Sequence, residues 1–139
     1  MAEIAPSEER ALALTQLDPS EGPLVMLNLL RFKERAEYPA EADAEPCSGA
    51  EAFARYGAAA SPCVESVGGK AVFSGGVALS LIARADEEWD AIALVEYPSI
   101  EAFMKMGQSE AYQKIAFHRT AALADSRLIV TRPGDAGLG

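Results

Sequence analysis

The sequence predicts an α+β fold of the ferredoxin-like kind: a four-stranded antiparallel sheet built in the order β-α-β-β-α-β, with an extra helix in front. Three observations carry this. Helical apolar spacing follows clear cap residues in two long segments; four short apolar runs are bounded by Gly, Pro or Asp; and the two kinds of segment alternate in the split βαβ order. The 139 residues are 50% hydrophobic and 24% charged, which suits a single globular domain. Its core is expected over 23–133, with an N-terminal helical extension over 1–22 and a flexible tail over 134–139.

The extension opens on Pro6-Ser7-Glu8-Glu9, with Ser7 as N-cap and acids in the first turn. Leu12, Leu14 and Leu17 continue it until Asp18-Pro19. After Gly22-Pro23, the run VMLNLLRF over 25–32 has six apolar residues in eight and no alternation, as in a strand apolar on both faces. Residues 33–47 hold five acids and two prolines and read as a solvated loop, a lid in an enzyme. Ser48 and Glu51 form a capping box. Phe53, Tyr56, Ala60, Val64 and Val67 then make one apolar stripe, in which Pro62 should kink or divide the helix before Gly68-Gly69 ends it. Residues 70–84 read as a long strand bent at Gly75-Gly76 and paired as a hairpin with 89–97. Pro98-Ser99 caps a helix carrying Ala102, Phe103 and Met106, a second helical segment follows Ser109, and 125–132 is the last strand.

Right-handed crossovers place both main helices on one face of such a sheet. The first strand is apolar on both sides, with Val25, Leu27 and Leu29 opposite Met26, Leu30 and Phe32. The uncovered face is therefore expected to bury itself against a second copy, giving a homodimer through sheet faces. The N-terminal helix is the competing cover.

Twelve Lys and Arg against 21 Asp and Glu give a net charge of −9, which disfavours nucleic acid and anionic membrane as partners. A single histidine excludes a multi-histidine metal site within one chain, and no metal or cofactor motif is present. Cys47 and Cys63 fit no zinc or redox spacing and read as free thiols of a cytoplasmic protein. No signal peptide or membrane span is expected.

Polar residues on apolar elements are the candidate site. Asn28 interrupts the first strand, either to orient a substrate carbonyl or hydroxyl or as a structural amide. Arg31 either clamps a carboxylate or pairs with Asp90 or Glu96 at the rim. His118 is either a general base, with Tyr56 or Tyr97 as partner, or a helix-end histidine. Arg119 either bonds a carboxylate or helix-end carbonyl, or joins the pocket. Tyr56 and His118 are thus the catalytic candidates, and Asn28, Arg31, Tyr97 and Arg119 the substrate-binding ones. A His118–Asp125–Ser126 triad has no supporting elbow motif.

VMLNLLRF at 25–32, Tyr56-Gly57, Trp89-Asp90, Tyr97-Pro98-Ser99 with Phe103 and Met106, Tyr112, and HRTAALADSRL at 118–128 together resemble the bacterial family known as domain of unknown function 1330, over about residues 23–133. The resemblance implies a dimeric α+β barrel. That superfamily includes cofactor-free monooxygenases, muconolactone isomerases and haem-dependent enzymes, while the family itself has no assigned reaction. Three functions follow as expectations. One is a homodimeric small-molecule-binding protein or cofactor-free monooxygenase- or isomerase-type enzyme with a pocket near Asn28. The second is a non-catalytic structural or ligand-binding dimer. The third, implied by the haem-binding cousins, is haem ligation through His118.

Overall fold

The computed structural model describes residues 2–134, so most of the expected tail lies outside the described residues. Helix α1 (Glu8–Thr15) starts at Ser7, whose side chain accepts from the Arg10 N–H. Strand β1 (Leu24–Phe32) follows, and Ser48 with Glu51 closes both halves of the capping box that opens α2 (Gly49–Ser66). Strands β2 (Lys70–Gly76) and β3 (Ala91–Tyr97) come next. Ser99 caps α3 (Ile100–Gln108), the short α4 (Glu110–Gln113) and α5 (Ala116–Ala122) follow, and β4 (Leu123–Thr131) completes the sheet. The four strands are all antiparallel in the order β2-β3-β1-β4, the expected α+β arrangement.

Three local expectations change. Helix α2 is not divided at Pro62 but runs through it for 18 residues. The proline forfeits one backbone bond, while Ala60 and Cys63 on either side stay buried in the core and keep the helix continuous. The strand expected over 70–84 stops at Gly76, and its register shift falls between Ala71 and Phe73 instead of at the glycines. Its partner β3 begins only at Ala91, so residues past Val77, whose N–H still reaches Asp90 O at 2.8 Å, have no strand to pair with. The second helical segment is broken at Lys114 and Ile115 into α4 and α5. At the end of α2, Gly68 takes φ +83°, a left-handed turn that favours glycine.

Directly opposed residues of an antiparallel pair share a face. Leu24, Met26 and Leu30 of β1 are buried on the helix-covered face. The core there has two parts. Leu24, Met26 and Tyr97 pack with Cys63 of α2 and Ile100 and Met106 of α3; Leu30 packs with Cys47, Ala52, Ala122 and Leu123. The opposite face carries Val25, Leu27, Leu29, Ile92 and Leu94, all half-buried, with Phe73 54% and Ile129 46% exposed. Helix α1 does not cover it, because Leu14 and Leu17 pack against the core on the helix side. The loop over 78–89, outside any strand, leaves Leu79, Leu81 and Ile82 at 74%, 85% and 96% exposure.

Loop 33–48 has no regular element but is anchored. Lys33 and Glu37 donate their N–H groups to Ala122 and Ala121 carbonyls, Ala36 donates to Cys47 O, and Cys47 is buried.

Candidate functional site

The middle of the helix-covered sheet face carries a polar side chain, Asn28, on its central strand. Asn28 stands in register between Ala93 on β3 and Leu128 on β4, so this row of three shares one face. The row falls between the two core clusters: Met26 and Val95 belong to the first, Leu30 and Ala91 to the second. Asn28 is half-buried, and its Nδ2 donates long bonds to Met26 O (3.4 Å) and Ala93 O (3.3 Å). Its Oδ1 accepts from no protein donor among the described residues.

Helix α2 crosses between the same clusters at Tyr56, since Ala52 and Phe53 lie in one and Cys63 and Val64 in the other. Tyr56 and Tyr112 share a hydroxyl–hydroxyl hydrogen bond of 2.7 Å, with rings edge-on. Burial first, and the neighbouring Tyr112 second, push the Tyr56 phenol well above its ordinary range. Tyr97, buried and edge-on to Phe103 at 5.1 Å, is pushed up in the same direction by burial and then by Tyr112. Both phenols are proton donors at neutral pH. Arg119 exerts a weaker opposite pull on Tyr56 and donates its guanidinium to Ile4 O at 2.7 Å, tying down the N-terminal segment.

His118 lies elsewhere on the helix layer and pairs with neither Tyr56 nor Tyr97. Its Nδ1 is 2.7 Å from the hydroxyl of Tyr38, in the anchored loop, and its ring stacks on Phe117 at 4.2 Å. Arg55 donates to the Tyr38 oxygen (3.4 Å) and to Glu45 O (2.9 Å), which directs the Tyr38 hydrogen toward the imidazole. Burial, and then the Arg55 charge, hold the His118 pKa below its usual 6.5. Between the folded value and 6.5 the unfolded chain takes up a proton that the folded chain refuses. Stability is therefore present above about pH 6.5 and lost as pH falls through the folded value. His118 supplies the chain's one imidazole, so its NMR titration is unambiguous. The midpoint is expected below 6.5, with Arg55→Gln moving it upward; a midpoint at or above 6.5 refutes the assignment.

Arg31 is on the open face, not beside Asn28. The rim partners considered for it are engaged: Asp90 accepts from the Phe32 N–H and Glu96 pairs with Lys70 at 3.8 Å. Instead Arg31 lines a cleft of about 440 Å³ at the strand ends with Arg84, Trp89, Asp125 and Arg127. A second cleft, about 290 Å³, lies at Glu21, Gly22, Pro23, Arg132 and Pro133, where the Arg132 guanidinium meets the Glu21 carboxylate. The triad residues are apart in role: Ser126 Oγ donates to Glu3 O and Asp125 accepts from Arg127 at 2.8 Å. Among the described residues no cluster of three or more His, Cys, Asp or Glu is placed to hold a metal ion, and no helix is long and apolar enough to cross a membrane. Cys47 and Cys63 are free and buried in different core clusters.

The structure thus puts Asn28 and Tyr97 on the helix-covered face of the sheet, at different rows, with Tyr56 on α2 and Tyr112 on α4, and it places Arg31 on the opposite face and His118 against Tyr38. Tyr38, Arg55, Arg84 and Trp89 were not legible as site residues: Tyr38, Arg84 and Trp89 sit in or beside segments that read as solvated loop or turn, and Arg55 lies off the apolar stripe of α2, where a charged residue reads as a solvated face.

The structure superposes on two crystal structures. That of methylated RPA0582 protein is 42% identical, with a TM-score of 0.86 and 95% of each chain covered. That of RPA0582, a protein of unknown function from Rhodopseudomonas palustris, is 41% identical with a TM-score of 0.86, covering 96% of this chain and 98% of the other. No curated protein matches the chain. The family model described as Domain of unknown function (DUF1330) matches residues 46–132, from the loop before α2 to the end of β4, so the first-strand run VMLNLLRF lies outside the matched span. With most of its length inside that match, the chain belongs to the DUF1330 family.

Proposed function

We propose that the protein is a homodimeric small-molecule-binding protein whose ligand contacts Asn28 on the helix-covered sheet face. The observation that supports this is the half-used amide: an acceptor oxygen without a protein donor, on a central strand, at the row where the core divides. Among the described residues no buried side-chain polar atom lacks a partner, so this oxygen is open to solvent, and a ligand hydroxyl or amide N–H can replace the water there. Tyr97 and the Tyr56–Tyr112 pair, in which one hydroxyl proton is used by the mutual bond and the other is left to donate, add hydroxyl donors on the helix side of the sheet, suited to a carbonyl or carboxylate oxygen. The second copy joins through the open sheet face.

A cofactor-free acid–base enzyme is a second reading, favoured by the Arg55–Tyr38–His118 chain. A neutral imidazole held by a phenol that a guanidinium polarises is an arrangement able to move a proton. Haem ligation gains nothing here: the His118 ring is stacked on Phe117, bonded to Tyr38, and lines neither the Arg31 cleft nor the Glu21 cleft.

The test is a thermal-shift screen of small carbonyl compounds and carboxylic acids on the wild type and Asn28→Leu. A compound that raises the wild-type midpoint is expected to lose its effect on the variant. A variant that melts lower yet responds to every compound as the wild type does makes Asn28 a structural amide and defeats the proposal.

A further inference from the structure

The cleft at the strand ends is a separate site on the other side of the sheet from Asn28. It combines β1 (Arg31), β4 (Asp125, Arg127) and the loop before β3 (Arg84, Asp86, Glu87, Glu88, Trp89). Its charged groups divide into satisfied and unsatisfied ones. Asp125 accepts from the Glu3 and Ser126 N–H groups and from Arg127, whose guanidinium also lies 5.3 Å from the Trp89 ring centroid. Glu87 accepts from the Arg84 N–H and from Trp89 Nε1. Arg31 and Arg84 have no side-chain hydrogen bond, ion pair or ring contact among the described residues. Asp86 and Glu88 also lack partners, but both are exposed on the turn, where water serves them. Arg31 is half-buried in the cleft wall and Arg84 is exposed, so both guanidinium groups face solvent with no protein partner among the described residues and are open to a ligand.

We infer that this cleft binds a small molecule through a carboxylate held by Arg31 and Arg84. The guanidinium fork matches a carboxylate in two parallel hydrogen bonds. Trp89, pinned by Glu87 and Arg127, supplies an apolar wall for the rest of the molecule. The cleft of about 440 Å³ has room for a metabolite-sized body beyond the carboxylate itself. The exposed Asp86 and Glu88 at its edge disfavour ligands of high negative charge.

Trp89 is the chain's one tryptophan, so its fluorescence reports this cleft directly. The full-length protein is titrated at constant ionic strength with acetate, succinate and glutarate, and with succinamide as the uncharged counterpart. A saturable change with at least one carboxylate and none with succinamide is expected. Arg31→Gln and Arg84→Gln should each weaken it tenfold or more, while Asn28→Leu leaves it unchanged, which separates this site from the one proposed at Asn28. Should Arg31→Gln fail to fold, Arg31→Lys, keeping the charge and losing the fork, is expected to weaken binding at least severalfold. The inference is overturned if none of the three carboxylates gives a saturable response, if succinamide or chloride gives the same one, or if the arginine variants titrate like the wild type. A partner copy's carboxylate already seated on the two arginines would show itself as the first of these.

Discussion

Leu27→Asp is expected to leave a folded single chain of 14.7 kDa where the wild type sediments at twice that mass. Leu27 lies at the centre of the open face, in register with Leu94 and Ile129. Around it the exposed apolar groups are contiguous, from Phe73 on the β2 edge to Ile129 on β4. A stable interface takes roughly 800 Å² from each copy, a little over half of it apolar, and at roughly 25 cal/mol per Å² of apolar area that is worth on the order of 20 kcal/mol before association costs of roughly 4–15 kcal/mol. In a two-fold interface each substitution counts twice. An aspartate buried without a partner costs about 3 kcal/mol or more, so the pair loses about 6 kcal/mol, a weakening of about four orders of magnitude. The single chain should tolerate the change, because Leu27 is only half-buried within it. Analytical ultracentrifugation at micromolar concentration, with circular dichroism to confirm folding, decides. A wild type that runs at 14.7 kDa, or a variant that stays paired, removes the dimer.

Gly49→Ala should cause a large loss of stability. A Cβ at Gly49 would lie 2.1 Å from Lys33 O and 2.7 Å from Ala122 O, both rigid backbone. Relieving this means withdrawing the start of α2 from the end of β1. That breaks the Gly49 N–H bond to Lys33 O (3.0 Å) and disturbs the neighbouring Lys33 N–H bond to Ala122 O (2.8 Å). Overpacking of this kind costs about 1–3 kcal/mol and each lost bond about 1 kcal/mol more, so about 3–5 kcal/mol is expected, a drop of about 10 °C or more in Tm. Gly57→Ala is the control: it sits exposed in the same helix with nothing within 4 Å of its Cβ, and should be neutral or stabilising by up to about 1 kcal/mol. Thermal unfolding followed by circular dichroism at one protein concentration compares the three. Equal midpoints for Gly49→Ala and wild type would mean that β1, α2 and α5 do not meet as described.

The elements legible in the sequence are those whose signals are local. Ser48 and Glu51 announce the start of α2 within one turn, and VMLNLLRF, too short between its breakers to be told from a helix by periodicity, reads as a strand from its immediate neighbours. What failed depended on distant or missing partners. Residues 77–84 have strand composition, yet strand formation needs a neighbour, and β3 starts too late to be one. Pro62 reads locally as a break, but burial on both sides of it prevails. In the site, Asn28 stood out because an amide within an apolar run is conspicuous wherever the chain folds. The Tyr38–His118 contact joins residues 80 positions apart through a loop whose acids and prolines conceal its one anchored aromatic ring. No spacing rule reaches that far. The same holds for Arg31, whose strand was legible but whose companions Arg84 and Trp89 come from an unpaired loop.

The two halves of the interior each contain one thiol, Cys63 in one and Cys47 in the other. A sulfhydryl reagent reaches either sulfur only when the packing around it opens. The molecule therefore carries two native reporters of local breathing. Unequal labelling rates would reveal the seam along the Asn28 row as a boundary between cooperative units, and equal rates would show that both halves open together.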